Sequence, residues 1–119
     1  MKKGPVVVRV LLGQFGGIFR VGLADLLEEA GFEVLPEGPA SVALLDRVVS
    51  EAPGVVVLDL DGRDTEEAAH LLSQRFPAVT VIACSSVELT MRVYPPFHGG
   101  ESYLTKLSPD LLVRASTGS

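Results

Sequence analysis

The sequence has one cysteine, no tryptophan and two histidines. Cys84 alone excludes an internal disulfide, and such sparing thiol use suits a reducing compartment. Joined only by His70 and His98, it is too little for a zinc site of ordinary composition. Cations are scarce as well: Lys and Arg number 10 against 15 Asp and Glu, for a net charge of −5. Nothing in that balance suggests the clustered positive surface that displaces phosphate counterions from nucleic acid. Long apolar runs are missing. Arg9 interrupts the one that begins at Val6, and Gly13 ends it, so it is too short for a membrane span and poor as a signal peptide. The expectation is a cytoplasmic protein with no direct contact to nucleic acid or membrane.

The 119 residues suit one compact domain, 1–119, and 47% apolar content is enough for a real core. Val6 to Leu12 reads as a buried strand. Ile18 to Ala30 has helical spacing, with Leu23, Leu26 and Leu27 on one face and Gly31 placed as a C-cap. Phe32 to Leu35 is a short strand, Ser41 to Ser50 an amphipathic helix, and Val55 to Asp59 a strand that is apolar until its last residue. Asp64 or Thr65 caps a third helix, with Glu67 completing a capping box, and Pro77 closes it. Val79 to Cys84 reads as a fourth strand and Val87 to Val93 as a short fourth helix, stopped by Tyr94-Pro95-Pro96. Ser102 to Thr105 is a fifth strand. Ser108-Pro109 starts a last helix of about seven residues, and the tail from about 115 reads as fraying chain or linker. This alternation of strand and helix predicts a parallel sheet covered by helices on both faces.

In such a sheet, functional groups collect at the carboxyl ends of the strands. Gln14 and Phe15 follow strand one, Asp59 ends strand three, and Ser85 and Lys106 follow strands four and five. An acid, a hydroxyl and an ammonium on one rim make a phosphoryl-acceptor constellation: the carboxylate attacks phosphorus, the hydroxyl holds a phosphoryl oxygen and the lysine offsets its charge. The glycines of G-Q-F-G-G, residues 13–17, match neither G-x-G-x-x-G nor a Walker A loop, which needs a lysine after its last glycine.

Taken in order, V-R-V-L-L, V-V-V-L-D-L, R-F-P-A-V-T-V-I-A-C-S and S-Y-L-T-K resemble a response-regulator receiver domain, CheY-like, of the kind found ahead of LuxR-type helix-turn-helix outputs. The resemblance covers nearly the whole chain. It implies an α/β, flavodoxin-like doubly wound sheet of five parallel strands, (βα)5, here with shortened fourth and fifth helices. It also implies two-component signalling with Asp59 as the phosphoacceptor, Ser85 and Tyr103 at the switch positions and Lys106 as the phosphate contact. From packing, Tyr103 is expected against the fourth helix.

The departures from that family are equally specific. Receivers carry two adjacent acids after strand one to hold Mg²⁺, and Gln14 and Phe15 stand at those positions. Magnesium wants hard oxygen ligands. Each lost carboxylate forfeits about 8 kcal/mol of gross attraction at an effective dielectric of 20, before desolvation offsets much of it. The loop after Asp59 is short, with Asp61 and Asp64 as the only stand-in ligands. The expectation is therefore no cofactor, a lost or weak Mg²⁺ site, and a degenerate receiver that is not an enzyme. Such a domain signals by protein contact or homodimerisation through the face of helix four, strand five and helix five, with a DNA-binding output domain beyond this chain. An alternative fate for Asp59 is a standing ion pair with Lys106, with no metal to compete for the carboxylate. The alternatives are a working phospho-receiver with Asp59 as acceptor and a receiver-like sensor of a small ligand.

Overall fold

A computed structural model describes residues 8–13, 17–35, 44–59, 65–97 and 101–116. In chain order they form β1 (Arg9–Leu12), α1 (Gly17–Glu29), β2 (Glu33–Val34), α2 (Leu44–Glu51), β3 (Val55–Asp59), α3 (Thr65–Arg75), β4 (Thr80–Ser85), β5 (Thr90–Tyr94), β6 (Tyr103–Lys106) and α4 (Pro109–Ser116). The strands make one six-stranded sheet in the order β2-β1-β3-β4-β5-β6.

The first four strands in chain order behave as the sequence predicts. β1 pairs in parallel with β2 and β3, and β3 with β4. Their apolar runs are continuous because helices cover both faces. One core lies under α1 and α4 and includes Val10, Val57, Ile82, Leu27 and Leu112. The other lies under α2 and α3 and includes Leu11, Val56, Val81, Val48 and Leu72. Arg9, the one charge in β1, sits at the strand's start, where Glu33 across the ladder and Glu51 of α2 lie 3.9 and 3.3 Å away. Gly31 ends α1 as expected. At φ +96° it lets Phe32 N–H reach the Leu27 carbonyl while its own N–H donates to Glu28, a Schellman motif. Ser108 Oγ accepts from Leu111 N–H at 3.2 Å and caps α4, as the Ser-Pro start predicts.

After β4 the expectation of a five-stranded, all-parallel, flavodoxin-like sheet fails. The segment read as a fourth helix, 87–93, is a turn followed by β5, and β5 runs antiparallel to both β4 and β6. The sheet is therefore mixed, with six strands, and four helices stand among the described residues. Thr90 to Tyr94 is rich in β-branched and aromatic residues, which favour a pleated surface. Its alternation puts Met91 and Val93 into the first core and Tyr94 into the second. A seven-residue helix stopped by two prolines has too few hydrogen bonds to compete. The turn over 86–89 carries no glycine or asparagine. Leu89 itself takes φ +55°, a conformation bulky residues rarely adopt, so the usual hairpin signal is missing from the sequence. The last strand keeps its expected direction, parallel to β4, but lies one position further out.

Candidate functional site

The carboxyl rim of β3 and β4 is built around Asp59. It ends β3, half-buried, and shares the α1/α4 side with Val55 and Val57 by the two-residue alternation of a strand. Thr65 Oγ1 donates to the Asp59 main-chain carbonyl at 2.7 Å and ties the start of α3 to the end of β3. Gly13 closes the end of β1 against β3. Its N–H donates to the Val57 carbonyl at 2.7 Å, and a Cβ there would stand 3.2 Å from Leu58 Cδ2 and 3.3 Å from the Val57 oxygen. The first glycine of G-Q-F-G-G is thus accounted for by close packing. Gln14, Phe15 and Gly16 lie outside the described residues, as do Asp61, Asp64 and His98.

Directly across the ladder from Asp59 is Cys84, which is fully buried. Burial first, and the Asp59 charge second, push its thiol up to about 12, so it is neutral at physiological pH and is no nucleophile. This neighbour of Asp59 follows from strand register and was within reach of the sequence, because Asp59 and Cys84 end consecutive parallel strands.

Ser85, Lys106 and Tyr103 are not brought to Asp59. Ser85 follows the parity of Val81 and Ala83 and lies on the α2/α3 side, opposite to Asp59. It is buried, and its Oγ accepts the Glu88 N–H at 3.0 Å, which holds the β4–β5 turn. Lys106 pairs with Thr90, which pairs with Ser85, so the three lie in a row on the α2/α3 side. β6 is three strands from β3, about 14 Å at the usual spacing. A lysine side chain does not close that gap, so the alternative of an Asp59–Lys106 ion pair is not realised. Tyr103 has no fourth helix to pack against. It lies on the outermost strand, 48% exposed.

The metal question turns on donor chemistry. Among the described residues, no three of His, Cys, Asp and Glu come together as a metal-binding group. Beside the Asp59 carboxylate stands a neutral thiol, which is no ligand for a hard cation. Among the described residues Asp59 is the one candidate oxygen ligand at this rim; Gln14, Asp61 and Asp64 lie outside them.

Other features lie apart from this rim. A groove of about 270 Å³ between α1 and α4 is walled by Gly22, Leu23, Leu26, Leu107, Pro109 and Leu112. On the α2/α3 side of β5, burial raises the Tyr94 phenol, Arg92 lowers it and Glu66 raises it further. Among the described residues no helix is long and apolar enough to cross a membrane. No family model matches the chain, and no curated protein or solved structure matches it either.

Proposed function

We propose that the chain is a receiver-like signalling module that works through protein contacts, with Mg²⁺-dependent phosphorylation of Asp59 impaired or absent. The observation that carries this reading is the β4–β5–β6 meander. It holds Lys106 three strands from Asp59 and leaves Ser85 on the other side of the sheet. A phosphoryl group at Asp59 would meet neither the hydroxyl nor the ammonium that the transfer requires. The protonated Cys84 thiol beside it offers no charge to offset the developing oxyanion. Partner contact, with another protein or a second copy, falls in this reading to the face made by β5, β6 and α4, which takes the place of the helix-four, strand-five and helix-five face that the resemblance implies. The small-ligand reading rests on the loop 13–17, of which Gln14, Phe15 and Gly16 lie outside the described residues.

The test is incubation with acetyl phosphate and Mg²⁺ followed by intact-mass measurement, with Asp59→Asn as control. The expected result is no more than a trace of phosphorylated protein. Stoichiometric, acid-labile addition of one phosphoryl group, lost in Asp59→Asn, would establish a working phospho-receiver instead.

A further inference from the structure

β6 is the outer strand of the sheet, and its register with β5 shows what it offers. The Leu107 N–H donates to the Leu89 carbonyl at 2.8 Å. Those two residues are opposite each other in the same register that pairs Thr90 with Lys106. In an antiparallel ladder, bonded and non-bonded pairs alternate. Tyr103 and Thr105 therefore spend their main-chain groups on β5, while Leu104 and Lys106 aim theirs off the edge. Among the described residues no strand or helix covers them: β6 makes its contacts with β5, and Leu104 is 53% exposed.

This edge is only partly guarded. Natural edges are blunted by short length, lysine, proline, bulges or inward charges; Y-L-T-K is four residues with one lysine at its end and no proline. On the α2/α3 side the edge is also cationic in an acidic protein. Lys106 and Leu104 lie on this side, and Arg92, opposite Leu104, sends Nη1 to Ser102 Oγ at 3.0 Å. Neither cation is in a salt bridge with a carboxylate among the described residues. Glu101 belongs, by parity, to the other side, and the influence of Glu66 reaches Tyr94 from α3.

We propose that the β6 edge takes up an extended acidic segment of a partner protein as a seventh strand. Main-chain hydrogen bonds to Leu104 and Lys106 hold the segment. An apolar residue meets Leu104, and acids two positions to either side meet Lys106 and the Arg92–Ser102 pair. The pattern recognised is acid-x-apolar-x-acid, read on alternate residues as in strand addition generally. A second copy fits less well. Two-fold antiparallel pairing centred on Leu104 sets Lys106 against Ser102 of the other copy, beside that copy's Arg92, and like charges across a ladder repel. The inference rests on β5–β6 being the partner face and is independent of whether Asp59 is phosphorylated.

The probe is the synthetic peptide acetyl-Gly-Glu-Thr-Val-Thr-Glu-Gly-amide, titrated into the full chain and followed by amide chemical shifts and hydrogen exchange. The expected result is shifts confined to 89–93 and 101–107, with new protection at the Leu104 and Lys106 amides. A peptide with lysine for both glutamates should bind at least about tenfold more weakly, a difference of about 1.4 kcal/mol. The double variant Arg92→Glu, Lys106→Glu, both at the surface, should reverse that preference. Leu104→Pro should abolish binding yet keep the fold, since the N–H it removes points off the sheet. Equal affinity for both peptides, or no shift in β6 at millimolar peptide, would overturn the proposal. A concentration-dependent dimer lost in Leu104→Pro would also overturn it, in favour of a second copy. Failure of peptide binding with Asp59 still unphosphorylated would remove the partner class and leave the contact-module reading intact.

Discussion

The two halves of the sheet obey different rules. β3 and β4 are buried along nearly their whole length, while β6, only two strands from β4, is exposed at three of its four residues. The buried strands read V-V-V-L-D and T-V-I-A-C-S, apolar on both faces because α1 and α4 cover one and α2 and α3 the other. β6 reads Y-L-T-K, and only Thr105 is partly buried. The first half is scaffold. The second half departs from parallel winding, and by doing so it separates the residues that would have formed a phosphoryl site and exposes an edge.

The largest effect that sharpens this contrast is in the core. Ile82→Ala, at the centre of β4, should cost about 2–5 kcal/mol in denaturant unfolding. Leu104→Ala, on β6, should change stability by less than about 0.5 kcal/mol. Similar losses at the two positions would abolish the distinction between scaffold and edge.

Next is the buried thiol. Its folded pKa, about 12, lies above the ordinary value of 9.0. Below pH 9 the thiol is protonated in both states and its contribution is complete. Between pH 9 and 12 the unfolded chain gives up the proton first, so stability falls as pH rises. The loss approaches about 4 kcal/mol by pH 12. Cys84→Ala should be less stable at neutral pH but lack this component of the alkaline decline. Parallel stability–pH curves for the two proteins would show that Cys84 is not buried as described.

The smallest effects separate glycines by their geometry. Gly31→Ala must hold φ +96° and should cost about 1 kcal/mol or more. Gly22→Ala lies inside α1 with nothing within 4 Å of a new Cβ and should gain about 0.5–1 kcal/mol from helix propensity. Melting temperatures moving in the same direction for both would contradict the distinct roles given to them.

The scaffold was legible in the sequence because its signals are local and agree. Gly31 marks the end of α1, Ser108-Pro109 the start of α4, and the valine run of β3 its burial. The meander was not legible, because its turn uses Leu89 in a conformation that glycine or asparagine ordinarily supplies. The helical reading of 87–93 had no such signal to contradict it. That one element decides the site. With a helix after β4, Lys106 would end the strand next to β4. With a strand there, it moves outward by one position. The residues of the rim could be picked out one by one, but their mutual placement depended on a long-range pairing that spacing does not encode.

The two borders of the sheet are unequal, and this limits how far assembly can go. At one border β2 has two residues, and Glu33 is engaged by Arg9. At the other, β6 offers four residues. A head-to-tail contact between unlike borders would generate an open filament, but so short a β2 gives little ladder to extend. Unlike borders of four and two residues therefore work against a head-to-tail stack of copies of this sheet.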